Sequence, residues 1–366
     1  MQLCSRCTPD VYLLEESPQG SCGYLYEVSR VPIVIAHRGA SGYRPEHGLD
    51  AYRLAIDLGA DAIEPDLVAT KDGVIVLRHE NEISTTTDVE SHPDFRDRRT
   101  TKEIDGVSVT GWFTEDFTWA ELSTLRINER LPLIRPLSAA HDGEGGIVRL
   151  ADLLALLDSD ETRRGAIDGT GVGLVAEIKH ATYFESIGLP LDELFVAELA
   201  AAGWLDDPRL TVECFEQTVL AKVRARGASG KTIYLLDNKG SAADLVARNG
   251  AQAETYAEQL EPDGLARLAQ DIDGISVTKK LLINGAGRED PAIVDRAHAL
   301  GLEVFTWTLR PENRFLSKAF RRGTSKEAFG AWRSEFARVA ATGVDGVFVD
   351  HPDLALEVLG RETAPA

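Results

Sequence analysis

The sequence predicts an α/β fold, a (β/α)8 TIM barrel with an insertion after the second strand and its hairpin. Three observations carry this expectation. Apolar runs of strand length recur through most of the chain. Amphipathic stretches of helical period separate most of them. Titratable residues gather where the early runs end. With 43% hydrophobic and 27% charged residues among 366, the chain can bury a large core.

Residues 1–31 show no clear periodicity and read as an extension. Pro32–Ala36 is the first strand. It runs into His37 and Arg38, then breaks at Gly39, Gly42 and Pro45. Glu46–Leu58 carries Leu49, Tyr52, Leu54, Ala55 and Leu58 at helical spacing, and Gly59 stops it. Ala62–Val68 is the second strand, with Pro65 unusually in its interior. A parallel crossover needs a dozen or more residues, far more than the Lys71-Asp72-Gly73 turn supplies. Val74–Leu77 is therefore expected to fold back antiparallel. That returns His79 to the place where the second strand's polar residues begin.

Residues 80–170 interrupt the alternation and read as an insertion near the mouth of the site, with Thr118–Leu125 and Leu150–Leu157 helical. The alternation resumes with strands at Val172–Ile178, Leu210–Phe215, Thr232–Leu236, Gly274–Thr278, Glu303–Leu309 and Gly346–Val349. Helices are expected at Leu191–Ala202, Gln217–Arg226, Ala242–Arg248, Pro262–Asp271, Pro291–Leu300 and Ser325–Thr342. With the hairpin strand set aside, eight strands remain, and six of their seven connections hold a clear helix. The barrel domain spans 32–359, and 360–366 form a tail.

The formal net charge of −20 argues against a nucleic-acid partner and against charge-driven binding to anionic membranes. An anionic substrate would need positive charge concentrated at its site. No apolar run reaches the length of a membrane span, so no stable membrane insertion is expected. Residues 1–31 lack the basic start and apolar core of an export signal. As written, the chain is expected in the cytoplasm; a different start site would make it periplasmic or secreted. Of four cysteines, Cys4 and Cys7 form a CxxC without a second pair, which reads as a leader rather than a metal or redox site. Cys214 reads as a small core residue.

Residues two apart on a strand share a face, so Glu64 and Asp66 are expected to point together. Paired carboxylates in a buried strand repel, and a bound cation resolves both burial and repulsion. The bland alternative is solvent exposure or pairing with arginine. Glu177 and Lys179 repeat the spacing on the next barrel strand. Glu177 offers a third oxygen ligand, and Lys179 a positive charge for an anionic substrate. Carboxylates without thiolates favour Mg2+ or Ca2+ over zinc. Lys179 also keeps a Schiff-base aldolase among the alternatives. His37 and His79 suit proton transfer near neutrality, and Arg38 offers a planar fork for phosphate oxygens.

Taken together, His37-Arg-Gly with Pro45-Glu46, Glu64-x-Asp66, Arg78-His79-Glu80 and Glu177-Ile-Lys179 resemble the glycerophosphodiester phosphodiesterase family, in its longer, bacterial periplasmic-type branch. Ile83–Asp88, Phe305–Leu309 and Gly346–Asp350 support the resemblance, which covers residues 32–359. It implies a TIM barrel with one divalent cation, Ca2+ ahead of Mg2+, held by Glu64, Asp66 and Glu177. It implies that His37 and His79 are the acid/base pair, that Arg38 contacts phosphate, and that Lys179 lies close by. The implied substrate is a small-molecule glycerophosphodiester such as glycerophosphocholine, cleaved to glycerol 3-phosphate and an alcohol. The expected route is attack by the substrate's own 2-hydroxyl, through a cyclic phosphate. Two departures stand out: His47-Gly48 where the family has Asn-Thr or His-Thr, and Glu80 where it has aspartate. Rival readings are a phospholipase D-like lyase acting on sphingomyelin or lysophospholipids, a catalytically dead binding domain, and the aldolase.

Overall fold

The apolar runs close on one another as a ring. The computed structural model describes residues 31–159, 162 and 171–361. Strand β1 (Ile33–His37) lies parallel between β2 (Ala62–Glu64) and the last strand, Gly346–Val349. Hydrogen bonding then passes back through Glu303–Leu309, Gly274–Thr278, Lys231–Leu236, Leu210–Cys214 and Gly173–Ile178, which returns to β2 and closes the sheet. Each barrel strand thus neighbours the next one in the chain, as short helical crossovers dictate.

Pro65 divides the second predicted strand into β2 and β3 (Asp66–Ala69). Proline has no N–H to give a ladder, but its carbonyl still accepts from Glu177 N (2.9 Å). Both halves therefore stay paired to Gly173–Ile178. Strand β4 (Ile75–Leu77) folds back antiparallel on β3, with Leu67 opposite Leu77, as the short turn requires. In the insertion, β5 (Thr100–Ile104) and β6 (Val107–Gly111) form a separate hairpin. The remaining barrel strands in order are β7 (Gly173–Ile178), β8 (Leu210–Cys214), β9 (Lys231–Leu236), β10 (Gly274–Thr278), β11 (Glu303–Leu309) and β12 (Gly346–Val349).

The barrel interior is layered by strand alternation. Ile35, Ala62, Val175, Ile233, Phe305 and Phe348 pack together as an apolar plug. Two residues further along four of those strands stand His37, Glu64, Glu177 and Asp350, all buried. A period of two puts them on the same inward face, one layer nearer the C-terminal ends of the strands. The opposite faces of the strands, with Val34, Ile63 and Leu174, join the helices through Tyr52, Phe195 and Leu199 in the main core. Each such large side chain contributes about 1.5–3 kcal/mol on burial.

Several predicted helices are shorter than expected: Thr118–Leu125 holds only the turn Trp119–Leu122, and the helix from Pro262 stops at Leu268. The first helix of the chain begins at Leu49, not Glu46, because Glu46 is drawn to Arg38 and Arg130 and His47 takes a left-handed φ of 60°. The last long one covers only Trp332–Ala340. The residues before it form a loop whose turns are pinned by Asn313 Nδ2, which donates to Arg322 O (2.6 Å) and Ser325 O (2.9 Å).

The insertion is mostly short turns held by aromatic packing. Phe95 and Phe117 meet edge to face at 5.1 Å, and Trp112 Nε1 donates to Phe95 O (2.6 Å). Cys214 is buried, as expected of a core residue. Cys4, Cys7 and, apart from Val31, the predicted extension lie outside the described residues. No helix among the described residues is long and apolar enough to cross a membrane.

Candidate active site

The turn after β1 is built for close approach. Arg38 and Gly39 both take positive φ (60° and 86°). A Cβ on Gly39 would lie 2.7–2.9 Å from Ala51 atoms, where Ala40 N donates to Ala51 O. Glycine is therefore the residue that fits. The turn leaves His37 facing the barrel axis, with its Nδ1 2.7 Å from Asp350 Oδ1 at the end of β12. Asp350 also accepts from Arg135 (2.5 Å) and Arg310 (2.5 Å). Although burial opposes its charge, Arg310 and Arg135 hold the Asp350 carboxyl well below the usual range, so it is ionised. Burial, then the neighbouring Arg38, lowers the His37 pKa to about 4 despite Asp350.

His79 repeats the arrangement after β4. Its Nδ1 contacts Glu80 Oε1, and burial followed by Arg38 and Lys179 lowers its pKa to about 3. The departure at Glu80 thus keeps a carboxylate on the histidine. The longer side chain also reaches Arg130 of the insertion (2.6 Å). Arg130 forks onto Glu46 through Nε (2.9 Å) and Nη2 (2.6 Å). One guanidinium therefore braces the β1 loop against the hairpin end.

The other departure also has a packed role. His47 is fully buried, between Tyr52 Oη (2.8 Å) and Asp66 Oδ2 (3.0 Å). A Cβ on Gly48 would lie 2.8 Å from Ile127 Cδ1, so an insertion side chain occupies the space a larger residue would need.

Four carboxylates converge beside the histidines. Glu64, Glu177 and Glu213 present oxygens within 4.8 Å of one another, and all three are buried. Asp66 lies alongside, 3.2 Å from Arg38 Nε and 3.5 Å from Lys179 Nζ. Lys179 also pairs with Glu177 (2.7 Å). Burial and the charge of Asp66 push Glu64 well above the carboxylate range. Burial lifts Glu177 to about 7 against the pull of Lys179, and burial with Glu177 raises Glu213. Asp66 is the exception: burial would raise it, but Lys179, His79 and Arg38 hold it low. Glu64 Oε1, Asp66 Oδ1 and Glu213 Oε2 are buried without a hydrogen-bond partner. The crowded oxygens of Glu64, Glu177 and Glu213, deprotonated only at a cost, fit a hard divalent cation.

Lys179 is held protonated. Burial works against its charge, but Glu177 and Asp66 more than offset this and raise its pKa above the ordinary lysine value. A Schiff-base nucleophile needs the neutral amine, so this environment disfavours the aldolase alternative.

These groups surround one cavity of ≈ 160 Å³, into which His37, Arg38, Glu64, His79, Glu177 and Lys179 all project. Of the seven site residues expected from sequence, six line it. Asp66 sits behind them, engaged by Arg38, His47 and Lys179. Sequence reasoning missed Glu213, Asp350 and Arg130. Glu213 had a signal: it is the lone charged residue of its strand, opposite Glu177 in the ladder.

A profile of the Glycerophosphoryl diester phosphodiesterase family matches residues 37–354. The chain is 30% identical over 337 residues to glycerophosphodiester phosphodiesterase GDPD6 of Arabidopsis thaliana, covering 87% of this chain and 83% of that protein. It is 25% identical over 362 residues to the glycerophosphodiester phosphodiesterase of Haemophilus influenzae, covering 89% of each. Among solved structures, a phosphodiesterase of Oleispira antarctica in complex with the product sn-glycerol-3-phosphate superposes with a TM-score of 0.56, at 20% identity over 90% of this chain and 97% of that one. A glycerophosphodiester phosphodiesterase of Agrobacterium tumefaciens gives 0.52 at 17% identity, over 89% and 99%. At these identities the two structures speak to the fold.

Proposed function

The chain belongs to the glycerophosphoryl diester phosphodiesterase family and is a glycerophosphodiester phosphodiesterase, and from that premise we propose how its site works and on what. The substrate is a glycerophosphodiester of the deacylated-phospholipid type. The products are glycerol 3-phosphate, the product named for the Oleispira antarctica enzyme, and the free alcohol. The observation that carries this reading is the pair of histidines, each held through Nδ1 by a carboxylate, on a cavity lined by Glu64, Glu177 and Glu213.

Glu64, Glu177 and Glu213 would hold one divalent cation, with Asp66 behind them as the further donor expected from sequence, and Ca2+ stands ahead of Mg2+ because a site of several carboxylate oxygens suits the larger ion. When bound, it neutralises charge on phosphate oxygens and lowers the pKa of a nearby hydroxyl. The remaining steps belong to side chains. An ionised carboxylate only accepts, so Asp350 fixes the proton of His37 on Nδ1 and leaves Nε2 as the basic nitrogen. Glu80 does the same for His79. One imidazole takes the proton of the substrate's 2-hydroxyl, whose oxygen attacks phosphorus. The other, protonated as the anionic substrate offsets the charges of Arg38 and Lys179, delivers its proton to the departing alcohol. Water then opens the cyclic phosphate with the two roles exchanged. Arg38, already inside the cavity, donates to phosphate oxygens.

The test is phosphorus NMR of several glycerophosphodiesters incubated with the protein, with EDTA and with added Ca2+ or Mg2+. Glycerol 3-phosphate should accumulate only with the cation, with a transient cyclic phosphate before it. No product from any diester in the presence of cation would overturn the substrate reading. Undiminished turnover in EDTA would overturn the cation.

A further inference from the structure

A second, larger cavity of ≈ 600 Å³ adjoins the first, and Trp307, Thr308 and Arg310 line both. Its charge is unlike the rest of the molecule. Lys279, Lys280, Arg310, Arg314 and Arg321 line it, and no carboxylate does, in a chain of net charge −20. Residues 310–326, which supply much of its wall, hold six arginines and lysines and one carboxylate. That carboxylate, Glu312, is buried and turned inward to Arg135 (2.7 Å).

Some of these cations have structural partners. Lys279 is paired with Glu335 (2.7 Å), Arg310 with Asp350 (2.5 Å), and Arg321 Nε donates to Leu316 O (2.9 Å). Lys280 and Arg314 are exposed and, among the described residues, pair with no carboxylate. The Trp307 Nε1 donor on the shared wall is buried and has no partner. Lys280 and Arg314 thus add positive charge that no carboxylate balances beside the paired cations, and an anion relieves that repulsion.

We propose that this cavity is a second anion subsite, and that the preferred substrate is a glycerophosphodiester whose departing alcohol carries a phosphate group of its own. The inference rests on the diesterase reading above and names the class of alcohol. The scissile phosphate lies in the first cavity at Arg38. The second phosphate lies past Trp307, among Lys280, Arg314 and Arg321. The alcohol chain between them spans the shared wall.

The test compares glycerophosphoinositol with glycerophosphoinositol 4-phosphate, which differ by one phosphate on the alcohol, for the full-length cation-loaded enzyme and for Lys280→Ala/Arg314→Ala. Both substituted side chains are exposed, and circular dichroism checks that the variant is folded. The expected result is a kcat/KM about ten-fold or more higher for the phosphorylated diester, as several charge-assisted contacts would give. The double variant should lose that preference through KM while keeping its rate on glycerophosphoinositol, and added salt should erode the preference in the parent enzyme. Equal kcat/KM for the two substrates in the parent enzyme, or a preference unchanged in the folded variant, overturns the subsite while leaving the diesterase reading intact. So does a site that serves free anion alone, seen as inorganic phosphate altering turnover of glycerophosphoinositol through Arg314 with no preference between the diesters. Failure to cleave either diester overturns the diesterase reading itself, and the subsite with it.

Discussion

His37 and Asp350 stand 313 positions apart in the chain, yet their Nδ1 and Oδ1 atoms are 2.7 Å apart. Barrel closure makes the contact, because β1 pairs directly with β12. Asp350 in turn carries Arg135 from the insertion and Arg310 from the end of β11, so a single carboxylate joins His37 to two distant segments.

Asp350→Asn should therefore fail twice. Turnover should fall by about 10²-fold or more, because the amide does not hold His37 with the same charge or tautomer. Stability should drop by about 1–3 kcal/mol, because part-buried Arg310 loses its carboxylate while buried Arg135 keeps Glu312. Urea melts and steady-state rates read the two effects separately. Normal turnover in the folded variant would remove Asp350 from the mechanism. His37→Ala and His79→Ala should each lose at least about 10² in rate while remaining folded.

The acid cluster predicts an inverted pH dependence for the cation-free protein. Glu177 titrates at about 7 in the fold against an ordinary 4.5, so the folded state holds the extra proton between those values. Stability from this group is full below 4.5 and is lost as pH rises towards 7. Glu64 and Glu213, also raised, add in the same direction. In EDTA the melting temperature should decline over that window. Ca2+ should restore it most at the upper end. A Ca2+ effect that is flat with pH would count against a cation among these carboxylates.

Glu213→Gln separates structure from ligation. The substitution removes a buried carboxylate repelled by Glu177 and Asp66, so the variant should melt higher than the parent in EDTA. It should also bind Ca2+ about ten-fold more weakly, the lower end of what a metal-site substitution costs. Calorimetry measures the affinity directly. Unchanged affinity would show that Glu213 only borders the site.

Arg130→Ala should loosen both loops that it joins. Glu46 is buried and keeps Arg38, while Glu80 loses its second partner. The expected loss is about 1–3 kcal/mol, with a several-fold fall in kcat. Arg130→Lys should recover little, since one ammonium cannot reproduce the two-pronged contact with Glu46. Full recovery by lysine would show that only charge matters there.

Two glycines in the same loop should behave differently. Gly39→Ala combines positive φ with a backbone clash against Ala51 and should cost more than about 2 kcal/mol. Gly48 has an ordinary φ of −75°, and its main obstacle is the side-chain end of Ile127 (2.8 Å), with Pro45 O next at 3.1 Å. Gly48→Ala should cost less than about 1.5 kcal/mol, and Ile127→Ala should relieve it when the two are combined. Thermal melts of the three variants test the contrast.

The barrel was legible because its strands are buried on both faces and read as plain apolar runs; β10, β11 and β12 match their expected limits residue for residue. Strand alternation made Glu64 and Glu177 readable as site carboxylates, each through its partner two residues on. What escaped was long-range or locally irregular. Nothing near Asp350 in sequence points to His37, and nothing near Arg130 points to Glu46. Glu46 itself sat in a helical pattern that its ion pairs override. The β5–β6 hairpin had a signal, an Asp105-Gly106 turn between alternating residues, hidden within the wider irregularity of the insertion.

The pairing of the first barrel strand with the last also has a meaning in time. During synthesis from the N-terminus, β1 emerges first and β12 almost last. Until β12 docks, His37 has no carboxylate and the ring of strands stands open. A chain trimmed before β12 would keep the acids and both histidines but lose Asp350, and should be inactive when assayed. The last strand made is thus the one that closes the ring and brings Asp350 to His37.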